Sequence, residues 1–152
     1  MRVVIGPLFP AMERIRAEAG SLNHPVEWSQ QPASLRSLVE EADLAVSGAG
    51  QTLYELAWAG CPAVAVETAP NQEGQARALE AAGSLIRAGG IRDPEFPDRM
   101  EAAVKRLLEE KELRARMGRA GQSLVDGQGA ARVAARIKEC INGAAHAIPR
   151  NA

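Results

Sequence analysis

Up to about residue 90, short apolar runs rich in β-branched residues alternate with stretches whose apolar positions recur every three or four residues. A short continuous apolar run suits a strand buried on both faces, and the longer spacing suits one face of a helix. Strands separated by helices pair in parallel, because a parallel connection needs a long crossover that a helix supplies. Val3-Val4-Ile5 is the first such run, ended by Gly6-Pro7. Met12, Ile15 and Ala19 mark a helix from Pro10 to Ala19, and Gly20 stops it. His24 to Trp28 reads as a second strand, and Ser34 caps a helix bearing Leu35, Leu38 and Val39. Ala42 to Val46 is the third strand. A helix from Gln51 to Ala59 follows it, closed by Gly60 with Pro62 beyond. Ala63 to Val66 is the fourth strand, Asn71 to Ala82 a helix ended by Gly83, and Ser84 to Ile86 the fifth strand. Beyond Pro97 the pattern is helical throughout, and Ala145 to Ala152 are expected to fray. The expected fold is α/β: one Rossmann-like domain over residues 1–144, a doubly wound parallel sheet of about five strands with a helical C-terminal segment.

Composition narrows the function classes. The 152 residues are 46% hydrophobic and 24% charged, the profile of a globular chain rather than a disordered one. A net charge of −1 lacks the basic excess of a nucleic-acid binder, so no nucleic-acid partner is expected. Basic residues outnumber acidic ones only beyond residue 96, which reads as a solvated helical face or a docking surface. The longest apolar stretch, Leu56 to Val66, is broken by Gly60 and Pro62 and falls well short of the roughly 20 residues of a membrane span. The N-terminus has no signal-peptide layout, and Cys61 and Cys140 lack metal-type spacing. A cytoplasmic location, with both cysteines buried as small core residues, is the expectation. No metal site and no cofactor are expected.

In open parallel sheets ligands bind beyond the carboxyl ends of the strands. Five loops qualify: Gly6-Pro7-Leu8, Trp28 to Gln30, Ser47 to Thr52, Thr68 to Gln72, and Ala88 to Gly90. Ser47-Gly48-Ala49-Gly50-Gln51-Thr52 stands out because it joins a strand to a helix N-terminus. Glycines let a ligand approach the backbone, and the orphan N–H groups and dipole of a helix start favour an anion such as phosphate. Thr52 adds a hydroxyl. The plainer reading is a tight turn that two glycines make easy. Glu55 likewise has two readings: the second half of a Thr52-x-x-Glu55 capping box, or an acceptor for ribose hydroxyls. Gly48 and Gly50 also match the first two glycines of a dinucleotide fingerprint, with Glu67 near its acidic position, but Leu53 stands where the closing glycine belongs.

The segment from Ala42 to Ala57, continued by Gly60-Cys61-Pro62-Ala63, resembles the nucleotide-sugar loop of GT-B glycosyltransferase-like proteins. It is most similar to the UDP-sugar hydrolase of pseudaminic acid biosynthesis and the related spore-coat polysaccharide biosynthesis group. The downstream Asn71-Gln72 fits the Asn-Gln that follows the next strand there. The resemblance spans roughly residues 2–90 and implies a UDP-sugar ligand. By position it implies that Ser47 to Thr52 hold the diphosphate with help from Gly6, Pro7 and Leu8. It implies further that Glu55 holds the ribose, Trp28 and Ser29 frame the uracil, and Asn71 and Gln72 face the sugar and the reacting centre. Trp28 reads equally as a sheet aromatic, and Asn71 as a helix N-cap. His24 and His146 match no catalytic position, and no catalytic residue is assigned.

GT-B proteins carry two such domains, and the resemblance matches the C-terminal one. It implies an N-terminal domain, in the parent chain or a partner subunit, that supplies the rest of the cleft. Three functions remain open: the UDP-sugar-binding part of an enzyme of polysaccharide or nonulosonate biosynthesis that hydrolyses or transfers an activated sugar; a glycosyltransferase subunit completed by a partner; and a nucleotide-binding module without chemistry.

Overall fold

The structure, a computed structural model, describes residues 1–147. The chain divides into two compact units, Met1–Ser37 and Leu38–Ala152.

The first unit holds β1 (Arg2–Ile5), α1 (Met12–Ala19) and β2 (Glu27–Gln30). The two strands pair in parallel, with Val3 opposite Trp28 and Val4 opposite Ser29. β2 starts later than expected, because Pro25 lacks an N–H for the ladder and the pairing runs from Glu27 to Gln30. Ile5 is buried, whereas α1 contributes no fully buried residue.

α2 (Arg36–Glu40) carries the chain from the first unit into the second, and just before it the Ser34 hydroxyl accepts from the Arg36 N–H at 3.1 Å. That bond supports Ser34 as the cap. Then follow β3 (Ala45–Gly48), α3 (Thr52–Ala59), β4 (Ala63–Glu67), a 3-10 turn (Pro70–Gln72), α4 (Glu73–Ala81) and β5 (Leu85–Gly90). The strands lie in the order β3-β4-β5, all parallel. β4 is central and alternates between two cores. Ala63 and Ala65 pack with Leu53 and Leu56 of α3 and Ala76 and Leu79 of α4. Val64 and Val66 pack with Ala103 and Leu107 of α5 (Phe96–Glu109) and Met117 of α6 (Lys111–Leu124). The sheet is therefore covered on both faces, the doubly wound Rossmann-like arrangement. Burying a side chain such as Leu53 or Leu107 contributes about 1.5–3 kcal/mol.

Two more strands differ from the sequence reading. β3 begins at Ala45 and runs through Ser47 into Gly48, so the ladder takes up part of the expected loop. β5 continues to Gly90, with a register shift that opposes Val66 to Gly89 and leaves Ala88 fully buried. A bulge of this kind bends the strand at its carboxyl end.

Glycine at the α3–α6 contact is dictated by packing. A Cβ on Gly121 would stand 2.8 Å from the Ala57 carbonyl oxygen, and one on Gly118 would strike Gly60. Gly60 ends α3 in the left-handed conformation at φ +74°, as a C′ glycine does. α7 (Gly129–Ala147) is exposed along its described side chains, including Val133, Ile137 and Ile141. It takes in Ala145–Ala147, and residues 148–152 of the expected fraying tail lie outside the described residues. Cys61 is buried and Cys140 exposed, so only the first fits the expectation of buried cysteines. Cys140 falls on α7, the helix whose described faces meet solvent. No helix among the described residues is long and apolar enough to cross a membrane.

Candidate functional site

The loop after β3 is built by a few backbone bonds. The Ala49 N–H donates to the Val66 carbonyl at 2.7 Å, which ties the loop to the end of β4. Gly50 N–H turns back onto Gly48 O at 2.8 Å, and Leu53 N–H reaches Gly50 O at 3.2 Å as α3 begins. Among the described residues, the N–H groups of Gln51 and Thr52 donate to no backbone carbonyl. They are the orphan donors of a helix start.

Ala49 is fully buried, while Gly48 is exposed and Gly50 half-buried. Neither glycine has a left-handed φ. A Cβ on Gly48 would meet nothing within 4 Å, and one on Gly50 would touch only Gln72 Nε2 at 4.0 Å. The contrast with Gly118 and Gly121 is sharp. Those two are required by neighbouring backbone, whereas Gly48 and Gly50 keep space clear that the chain leaves open.

The β4–α4 connection closes on the same loop. Gln72 Oε1 accepts from the Thr68 N–H at 2.8 Å and the Thr68 hydroxyl at 3.1 Å. Gln75, one turn on, donates from Nε2 to the Ala49 carbonyl. The second unit thus brings together Ser47 to Thr52, Gln72, Thr68 and Gln75 at the carboxyl ends of β3 and β4. Thr68 and Gln75 received no role from the sequence. Gln75 had a signal: at i+3 from Gln72 it shares that residue's side of the helix.

Several expected roles change. The cap position of α3 is Gln51, with no side-chain capping bond, so Thr52 and Glu55 do not form a capping box. Thr52 is already the first helical residue. Glu55 is exposed in the first turn, its carboxylate uncommitted to a cap. Asn71 is exposed inside the 3-10 turn, and Gln72 rather than Asn71 occupies the cap position of α4, again with no side-chain capping bond. Glu67 does not serve as the acid of a dinucleotide site. Its Oε1 accepts from Arg87 Nε at 2.7 Å and lies 2.5 Å from Arg87 Nη2, and both side chains are mostly buried. Arg87 also donates its backbone N–H to Glu80.

The first unit carries the other expected positions. Gly6, Pro7 and Leu8 form an exposed turn after β1, closed by Phe9 N–H on Gly6 O at 3.4 Å. Trp28 is half-buried in β2 with the Arg16 guanidinium 5.7 Å from its ring centre, a cation–π contact that covers one face. Ser29 is half-buried beside it. His24 is exposed. Among the described residues, no three His, Cys, Asp or Glu side chains are grouped to hold a metal ion.

No protein-family model and no curated protein matches the chain. Solved structures do. The crystal structure of WaaG, a glycosyltransferase involved in lipopolysaccharide biosynthesis, superposes with a TM-score of 0.65 at 20% sequence identity. The match covers 84% of this chain and 34% of that one, so the chain spans about a third of its neighbour's length. The chain therefore has the Rossmann-like α/β fold found in part of a glycosyltransferase.

Proposed function

We propose that the chain is a nucleotide-sugar-binding domain of a glycosyltransferase-like enzyme, with the loop Ser47 to Thr52 as its diphosphate site and UDP as the nucleotide. The observation that carries this reading is the pair of glycines, Gly48 and Gly50, for which neither φ nor packing demands glycine. They leave room for a ligand directly before the orphan N–H groups of Gln51 and Thr52 at the start of α3. A diphosphate seated there accepts from those N–H groups and lies on the positive end of the helix dipole. When the sugar departs, negative charge grows on the diphosphate. Donors fixed in advance by the fold stabilise that charge without reorganising.

In this reading Glu55, one turn below, accepts from the ribose hydroxyls, and Asn71 and Gln72 face the sugar. Within the first unit, the same resemblance gives Gly6, Pro7 and Leu8 a phosphate role and Trp28 and Ser29 a uracil role. The glycosyltransferase neighbour and the resemblance of Ala42 to Ala63 to the GT-B nucleotide-sugar loop both support it. The enzyme's remaining part, in the parent chain or a partner subunit, supplies the other wall of the cleft. That whole hydrolyses or transfers the activated sugar in polysaccharide or nonulosonate biosynthesis.

Calorimetric titration with UDP, CMP and NAD tests the ligand class. UDP is expected to bind in preference to the other two, and no UDP binding at millimolar concentration overturns the proposal. A hydrogen bond to a charged group contributes about 1.5–3 kcal/mol, so Glu55→Ala should weaken UDP about tenfold or more. It should leave inorganic diphosphate unaffected. Equal losses for both ligands would remove Glu55 from the ribose.

A further inference from the structure

We infer that Thr68 is a positioning residue that holds the Gln72 side-chain amide with its NH2 group towards the open side of Gly50, so that Gln72 selects a hydrogen-bond acceptor on the ligand. The inference rests on the proposed nucleotide-sugar reading and goes beyond it by stating which end of the amide the ligand meets, and why. A glutamine amide presents a donor at one end and an acceptor at the other, and the two ends are similar in shape. The chain itself removes the ambiguity here. The Thr68 backbone N–H can only donate, so the amide atom 2.8 Å away must be the carbonyl oxygen Oε1. The Thr68 hydroxyl adds a second donor to the same oxygen at 3.1 Å. Nε2 is thereby forced to the opposite end, 4.0 Å from where a Cβ on Gly50 would stand.

No acceptor among the described residues takes the Nε2 protons. They face the space that the missing side chain of Gly50 leaves clear. Gln75 fixes the other half of the geometry, because its amide donates to the Ala49 carbonyl and ties the loop to α4. An amide oriented this way hydrogen-bonds a phosphate or sugar oxygen and has nothing to offer a group that can only donate.

The test uses the full chain, UDP as the probe, and thermal unfolding as the control. Gln72→Glu preserves an oxygen for Thr68 but replaces the NH2 group with a second carboxylate oxygen. UDP affinity should then fall by about tenfold or more, with the unfolding temperature unchanged, since bonds to charged groups are the strong ones. Thr68→Val removes one of the two restraints, so affinity should fall by about two- to fivefold, the effect of one ordinary hydrogen bond. Thr68→Ser, which keeps the hydroxyl, should restore wild-type binding. UDP binding by Gln72→Glu within about twofold of wild type, or a Thr68→Ser variant as weak as Thr68→Val, would overturn the inference. Scalar coupling across the hydrogen bond from Thr68 N–H to the Gln72 side-chain carbonyl, read by NMR on the unliganded chain, tests the lock independently of UDP. Its absence refutes the lock. Its presence in a chain that does not bind UDP keeps the lock and overturns the proposed function together with the ligand half of the inference.

Discussion

Substituting alanine for glycine at Gly50 and at Gly121 should move stability in opposite directions, and only the first should affect ligand. Gly50 has no left-handed φ, and an added Cβ would meet only Gln72 Nε2, at the ordinary van der Waals distance of 4.0 Å. Alanine there reduces the freedom of the unfolded chain and stabilises by about 0.4–1 kcal/mol. For a chain of this size each kcal/mol moves the unfolding temperature by about 2–4 °C, so Gly50→Ala should melt about 1–4 °C higher. Gly121 is different, because its Cβ would stand 2.8 Å from Ala57 O and 2.9 Å from Ala57 Cα. Those atoms are helix backbone and cannot swing aside. α6 must move off α3, and overpacking of that kind costs about 1–3 kcal/mol, a drop of about 2–12 °C. Differential scanning calorimetry with and without UDP reads both effects. The Gly50→Ala chain should melt higher yet lose most of the stabilisation UDP confers, because the methyl group fills the space for the diphosphate. Gly121→Ala should melt lower and keep its response to UDP. A Gly50→Ala chain that is destabilised would show that the fold itself demands this glycine. One that is stabilised and binds UDP as before would place the ligand elsewhere.

The cysteines should separate by reactivity. Burial, with the nearby Asp43 carboxylate adding to it, pushes the Cys61 thiol up to about 11, so iodoacetamide at pH 8 should label exposed Cys140 and spare Cys61 in the folded chain. Mass spectrometry finding Cys61 labelled first would contradict this packing. The start of α7 should respond to acid. The Arg132 guanidinium, with the Gln128 N–H, holds the Asp126 carboxyl down at about 2, from the usual 3.8. A lowered folded-state value means the contribution is complete above about pH 4 and is lost as the pH falls through about 2. Circular dichroism should show helix content declining over that window in the wild-type chain, with Asp126→Asn lacking this step. Superimposable acid titrations of the two chains would show that the pair does not hold the helix.

Much of the scaffold could be read from local pattern. The run Ala63-Val64-Ala65-Val66 has no polar residue to turn towards solvent, so it had to be a strand covered on both faces, and it lies at the centre of β3-β4-β5. Gly60 and Gly83 were legible as helix stops because a left-handed φ favours glycine, and both have one. Strand ends were harder. β3 and β5 extend into glycine-containing segments that read as loops, because pairing with β4 supplies hydrogen bonds that offset glycine's poor strand preference. Thr52 and Glu55 have the spacing of a capping box, yet the helix begins one residue too early for it, at Thr52 with Gln51 as its cap.

By itself, the sequence determined the α/β class and the alternation of elements, and it singled out the loop between β3 and α3 as the one expected to meet a ligand. These follow from period and from glycine, which are properties of neighbouring residues. Only the tertiary structure decided which glycines are held by packing and which face open space, that Glu67 pairs with Arg87, and that Thr68 and Gln75 bind Gln72 and the Ala49 carbonyl. Each of these depends on what a side chain or an empty Cβ direction meets across the fold, between residues that no periodicity connects.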